Sequence, residues 1–233
     1  MGGKLFVWIE FLRKRDVLAN AMTTKREVEI KLRVPDLAGL LGRLKEFGAK
    51  CAGSVHEENT LYDTSTRDFQ RMQAILRMRR ERAARPPGKA RRRGKRIKGA
   101  GGLITYKEMV GGKRGADGGK YKVREEIEYR VKNAGRIERL FARLGLRRRF
   151  RYEKYRTRYE LAGFPGLEVD LDETQIGTFL ELEGSRRAID SVARALGYTE
   201  KDYIAVSYLE LYLAECERQG EKPGNMVFKS KNN

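Results

Sequence analysis

Between Arg26 and Val34 the chain alternates without a break, with Glu27, Glu29, Lys31 and Arg33 on one side and Val28, Ile30, Leu32 and Val34 on the other. A period of two is that of a β-strand, so this segment is a strand with one wholly charged face. The pattern recurs down the chain. One face carries Arg77 and Arg79, then Lys107, then Arg124, Glu126 and Glu128, then Lys154, Arg156 and Arg158, then Asp170 and Asp172, then Glu181 and Glu183. The opposite faces carry Leu76, Met78, Val123, Ile127, Leu171 and Leu182. An open antiparallel sheet with one wet face is the simplest home for any one of these strands. As a set they fit it poorly, because acids recur in i, i+2 pairs and bases in pairs of their own. Closing the sheet into a barrel turns those charges toward one another across a lumen and leaves an apolar outside for helices to cover. Such an interior is costly unless opposite signs and a ligand neutralise it. The converging bases are expected to repel one another until an anion arrives.

The remaining strand-like runs complete the count: Val55 to Asp63, Ala74 to Glu81, Leu103 to Val110, Lys122 to Val131, Phe150 to Leu161, Leu167 to Asp172 and Phe179 to Glu183. Three helices fit between them. One is capped by Asp36, carries Leu37, Leu40, Leu41, Leu44 and Phe47 at helical spacing, and ends at Gly48; the others span Ala134 to Leu144 and Ser185 to Leu196. The expected class is therefore α+β: antiparallel strands closed on themselves, with helices packed outside.

A chain of 233 residues with 40% hydrophobic content supports one sizeable core, hence one domain, placed at residues 25–220. Residues 1–24 read as an N-terminal extension, either preceding a true start at Met22 or forming a short helix from Leu5 to Leu18. Residues 221–233 are polar and are expected to be a flexible tail. The formal charge of +19 calls for an anionic partner, yet residues 82–102 hold nine Lys and Arg with no acid, and without them the surplus falls to +10. The basic segment 83–102, with Pro86, Pro87 and no periodicity, is expected to be a disordered loop, and it is the one place where RNA or another polyanion would dock. It has no interleaved aromatics to stack bases. Gly111 to Gly119 reads as a second glycine-rich turn. Neither glycine-rich stretch matches a P-loop or a dinucleotide fingerprint.

Cys51 and Cys216 form no metal or disulfide spacing, which suits a reducing, cytoplasmic setting. The apolar run from Leu5 to Ile9 is far shorter than a membrane span, so no membrane partner is expected. His56 is the only histidine, which excludes a histidine-based zinc site. The acid pairs Glu27/Glu29 and Glu181/Glu183 offer carboxylate oxygen, the donor that Mg²⁺ and Mn²⁺ prefer. Lys and Arg offer phosphate its donors. Acids for metal and bases for phosphate describe a site for a metal-bound polyphosphate.

The run Glu27-Val28-Glu29-Ile30-Lys31 resembles the ExExK signature of the CYTH, or triphosphate tunnel metalloenzyme, superfamily. Leu61 to Thr64, Leu76 to Arg79, Thr105 to Lys107, Arg124 to Glu126, Lys154 to Arg156, Leu171 to Thr174 and Ile176 to Gly184 follow in that family's order. The resemblance runs from about Lys25 to Leu213, and its closing segment, Ser207 to Tyr212, is similar to the class IV adenylyl cyclase branch. It implies an eight-stranded antiparallel tunnel in which Glu27, Glu29, Asp172, Glu181 and Glu183 hold Mg²⁺ or Mn²⁺. It implies triphosphate contacts from Lys31, Arg77, Arg79, Lys107, Arg124, Lys154 and Arg156, with Glu27, Glu29, Lys31, Arg77 and Arg79 at the catalytic centre. For Arg124 a structural pairing with Glu126 or Glu128 is the alternative. The family includes class IV adenylyl cyclases and thiamine, inorganic and RNA triphosphatases. The resemblance thus implies an enzyme acting on a triphosphate-bearing small molecule such as ATP, thiamine triphosphate or inorganic triphosphate, as a monomer or homodimer. The cyclase reaction, ATP to cyclic AMP and pyrophosphate, is the expected one and triphosphate hydrolysis the alternative.

Overall fold

The first strand, β1 (Met22–Arg33), supplies both the charged wall and the apolar outer face that organise the rest. In chain order there follow α1 (Leu37–Glu46), β2 (Lys50–Asp63), α2 (Asp68–Arg71), β3 (Ile75–Ala83), β4 (Gly102–Met109) and β5 (Lys122–Val131). The second half comprises α3 (Ala134–Arg143), β6 (Arg147–Glu160), β7 (Glu168–Thr174), β8 (Gly177–Glu183), α4 (Arg186–Ala195), β9 (Tyr203–Ile204) and α5 (Tyr208–Gln219). The computed structural model describes residues 22–87, 101–109 and 119–229. The expected helix from Leu5 to Leu18, most of the basic segment and the turn from Gly111 lie outside the described residues.

The strands run β5-β4-β3-β2-β6-β7-β8-β1, and β1 pairs again with β5, so eight antiparallel strands close into a barrel. Closure depends on β1 serving two neighbours. Its first half faces β5, with Glu27 opposite Arg124 and Glu29 opposite Lys122, while its second half faces β8, with Glu29 opposite Glu183 and Lys31 opposite Glu181. The two-residue β9 takes over beside Lys31 and Leu32 where β5 has ended.

Outside the barrel, Leu40 and Leu44 of α1, Ile189 and Val192 of α4 and Leu196 just after it pack on Ile30, Leu32, Val169, Leu171, Leu180 and Leu182. Each such side chain, fully buried, contributes about 1.5–3 kcal/mol. A second cluster under α3 joins Phe141 and Ala134 to Tyr62, Phe69 and Met78. The helices start where side chains satisfy their free amides: Asp36 accepts from the Gly39 N–H, Asn133 from Arg136, and Ser185 from Ala188. No helix among the described residues is long and apolar enough to cross a membrane.

Inside, the inward parity changes character at one end. Phe150 and Tyr152 continue the row of Lys154 and Arg156, Phe179 continues that of Glu181 and Glu183, and all three pack with Tyr208 at the start of α5. Of this aromatic cluster, Phe150, Tyr152 and Tyr208 line the cavity at that end, beside Leu61, Leu209 and Leu213. At the far end the rim carries the half-exposed Lys25 and Glu168.

The expected flexible tail needs correction for residues 221–229. β7 pairs with β6 only from Lys154 onward, which leaves the edge of Arg151 to Glu153 without a neighbour. The tail fills it: Met226 N–H donates to the Arg151 carbonyl at 3.0 Å, the Glu153 N–H donates to the Met226 carbonyl at 2.9 Å, and Asn225 Oδ1 accepts from the Arg151 N–H at 2.8 Å. Met226 is fully buried, and Phe228 packs on Tyr155. Buried backbone groups demand partners, and this segment supplies them.

Candidate active site

The lumen is a cavity of about 1370 Å³ whose wall combines Glu27, Glu29, Lys31, Arg77, Arg79, Lys107, Arg124, Lys154, Arg156, Glu181 and Glu183. Strand parity brings them together, since each sits at an inward position of β1, β3, β4, β5, β6 or β8. Asp172 is inward on β7 but does not reach the cavity surface.

The carboxylates divide into two groups. Glu27, Glu29 and Glu183 each present an oxygen, all within 4.8 Å of one another. Asp172 lies among bases instead: Arg156 Nε donates to its Oδ1 at 2.7 Å, while Lys154 Nζ at 2.6 Å, Arg156 Nη2 at 2.6 Å and the Tyr208 hydroxyl at 2.8 Å donate to its Oδ2. Glu181 is held by Arg156 and by Lys31 at 3.2 Å. Of the five carboxylates that the resemblance implies for metal, Glu27, Glu29 and Glu183 converge and Asp172 and Glu181 stand apart; all five are engaged by cationic side chains, Glu27 by Lys107, Glu29 by Lys31 and Lys122, and Glu183 by Lys25.

The convergent trio has the electrostatics of a cation site. Burial, and next the Glu27 charge, push the Glu183 carboxyl up to about 8. Burial and the Glu29 charge raise Glu27 as well. For Glu29 burial is outweighed by Lys122, Lys31 and Lys107, which hold it well below the usual range. Three carboxylates this close ionise together only beside compensating cations, a role that Lys107, Lys31, Lys122 and Lys25 fill in this structure and that a metal ion could take over. Their donors are hard oxygens with no His or Cys among them, a set that fits Mg²⁺ or Mn²⁺ with places left for water and phosphate oxygens.

The expected crowd of mutually repelling bases is not what the lumen holds. Acids are interleaved with them: Lys107 Nζ lies 2.7 Å from both Glu27 oxygens and 3.0 Å from Glu126, Lys31 lies 2.9 Å from Glu29, and Arg156 Nη1 lies 2.7 Å from Asp170. Arg124 is the exception. Buried, it has no hydrogen-bond partner for Nε or Nη1 among the described residues. Its two candidate structural partners are engaged elsewhere, Glu126 by Lys107 and Glu128 by Arg77 at 3.8 Å and the Thr105 hydroxyl at 3.0 Å.

Three lumen residues escaped the sequence reading. Glu57 is buried with Arg79 at 3.1 Å, Lys154 at 3.6 Å and Arg156 at 3.8 Å. The run His56-Glu57-Glu58-Asn59 is polar on both faces, so alternation does not mark it; the register that sets Glu57 opposite Lys154 does. Lys122 shares the inward parity of Arg124 and was recoverable from it. Burial draws it down to about 8 against the opposing pull of Glu29. Tyr208 comes from α5, and Lys31 and Lys154 stand over its ring at 5.2 and 5.1 Å.

A closed antiparallel barrel with an ion-paired lumen defines a β-tunnel protein. The chain belongs to the CYTH domain family, whose model matches residues 25–208. A protein named "Putative adenylate cyclase" from Methanocaldococcus jannaschii is 26% identical over 196 residues, covering 79% of this chain and 97% of that one. Among solved structures, a Pyrococcus horikoshii protein is similar with a TM-score of 0.62 at 23% identity, covering 81% of this chain and 99% of that chain. A Hippeastrum protein, described as a putative adenylyl cyclase with a dominant triphosphatase activity, is similar with a TM-score of 0.51 at 17% identity, covering 84% and 97%. At these identities both structures speak to the fold.

Proposed function

We propose that this protein is a divalent-metal-dependent enzyme that acts on a triphosphate inside the tunnel, converting ATP to cyclic AMP and pyrophosphate. The observation that carries the reading is the meeting, in one cavity, of a carboxylate trio and a buried guanidinium, Arg124, with no hydrogen-bond partner among the described residues on two of its nitrogens. Membership of the CYTH family and the name of the Methanocaldococcus relative support it.

In this reading Glu27, Glu29 and Glu183 hold Mg²⁺ or Mn²⁺, with Glu181 and Asp172 behind them orienting the bases. The metal supplies charge neutralisation to the phosphate oxygens. Lys31, Arg77, Arg79, Lys107, Arg124, Lys154 and Arg156 grip the polyphosphate and stabilise the charge that builds on it. The aromatic cluster gives that end of the cavity an apolar wall, which leaves the polyphosphate to the charged stretch. Held in line, the ribose 3′ oxygen forms a bond to the α-phosphorus as the bond from that phosphorus to the bridging oxygen breaks. Pyrophosphate leaves, and the hydroxyl proton passes to water.

Hydrolysis of the triphosphate is the second reading, favoured by the activity named for the Hippeastrum neighbour. A turnover panel with ATP, thiamine triphosphate and inorganic triphosphate in Mg²⁺ and in Mn²⁺ separates the two when the products are identified. Cyclic AMP with pyrophosphate supports the cyclase. A terminal phosphate without cyclic nucleotide assigns hydrolysis, and no turnover of any triphosphate overturns both.

A further inference from the structure

The trio of carboxylates is already occupied by the protein's own ammonium groups. Lys107 takes both oxygens of Glu27 at 2.7 Å, and Lys31 at 2.9 Å and Lys122 share Oε1 of Glu29. A divalent ion ligated by the trio would face four positive neighbours, since Lys25 is paired with Glu183, and these must withdraw or find other partners. Three of them have one at hand. Lys31 has Glu181 at 3.2 Å, Lys107 has Glu126 at 3.0 Å and Lys25 has Glu168 at 3.1 Å. Lys122 does not: Glu29 is its one ion-pair partner among the described residues. It stands two residues before Arg124 on the same face of β5, beside the guanidinium that lacks partners on Nε and Nη1.

Building on the metal–triphosphate reading, we infer that Lys122 is a positioning residue that couples the two ligands, neutralising Glu29 while the metal is absent and joining Arg124 on the phosphate once the metal is in. The exchange costs little when both ligands arrive and much when one arrives alone. Metal without anion leaves Lys122 uncompensated; anion without metal must compete with Glu29 for it. Each ligand therefore raises the affinity for the other by the same factor.

The test is binding rather than turnover. Mn²⁺ affinity is read by the loss of the free-ion electron paramagnetic resonance signal, with and without inorganic triphosphate, for the wild type, Lys122→Met and Lys122→Arg. Lys122→Met should tighten Mn²⁺ alone by about tenfold and shrink the enhancement by triphosphate by a similar factor, within the usual span of coupling energies. Lys122→Arg keeps the charge and should stay near the wild type. Should the methionine variant fail to fold by circular dichroism, Lys122→Gln is read in its place with the same expectation. If the wild type shows mutual enhancement and the neutral variants match it, the inference falls while the functional reading stands. If the wild type binds neither Mn²⁺ nor triphosphate, both fall.

Discussion

Arg124 and Arg156 are both buried arginines of one lumen, and they answer to opposite constraints. Arg156 bonds Asp172 through two nitrogens and also meets Asp170 and Glu181. Removing it strands those acids, so Arg156→Ala should lower stability by about 3–5 kcal/mol in denaturant unfolding. Arg124→Ala removes a charge that was desolvated without full compensation, so the fold should be as stable or more so. Triphosphate affinity by calorimetry should nevertheless drop roughly ten- to a hundredfold, the worth of a charged hydrogen bond of about 1.5–3 kcal/mol. A destabilised Arg124→Ala with unchanged affinity would make Arg124 a structural residue. Glu57 gives the pH dependence. Burial works to raise its carboxyl, but Arg79, Lys154 and Arg156 outweigh it and hold it far below its ordinary value of 4.5. A depressed acid stabilises the fold above its unfolded pKa and loses that contribution as the pH falls below it. Unfolding free energy should thus fall steeply below about pH 4.5. Glu57→Gln should be about 3 kcal/mol less stable at pH 7 and show a shallower acid slope. Parallel pH profiles would remove Glu57 from this account.

Elements were legible in the sequence in proportion to how cleanly their two faces differ. β1, with acids and Lys on one side and Val, Ile and Leu on the other, could be read strand and face together, as could the inward bases of β3 and β6. The α1 helix announced itself through its Asp36 cap and apolar spacing, and α3 and α4 fitted the stretches between strand-like runs. β2 could not be oriented, because His56, Glu57, Glu58 and Asn59 are polar whichever way the strand faces. The division of the acids was hidden for another reason. Asp172 and Glu183 look alike in sequence, and only the cross-strand register, Arg156 opposite Asp172 and Glu29 opposite Glu183, separates an acid surrounded by bases from one set beside another acid with Lys25 of the rim as its cation. The tail was misjudged because its polarity says nothing of the unpaired edge it meets. Its anchorage has a measurable consequence. Deleting residues 221–233 removes the buried Met226 and frees the edge of β6, a loss of about 3 kcal/mol and a melting temperature lower by roughly 6–12 °C. A melting temperature unchanged by the deletion would mean that the strap adds nothing to the barrel.

At the scale of the molecule, the barrel is a device for burying charge that no open sheet could bury. Helices on the apolar outside provide the stability, and the lumen holds acids and bases in register; under the proposed function a metal-bound anion would redistribute them. A ligand that binds only the closed barrel must stabilise it, by about 2.7 kcal/mol at a hundredfold excess over its dissociation constant. The most direct check is the melting temperature with inorganic triphosphate and Mg²⁺ together, beside each alone and beside monophosphate with Mg²⁺. The pair should raise it by several degrees and by more than the two separate shifts combined, while monophosphate, reaching fewer of the bases, should do little. A melting temperature indifferent to triphosphate and Mg²⁺, or raised equally by monophosphate, would contradict a tunnel built for a metal-bound triphosphate.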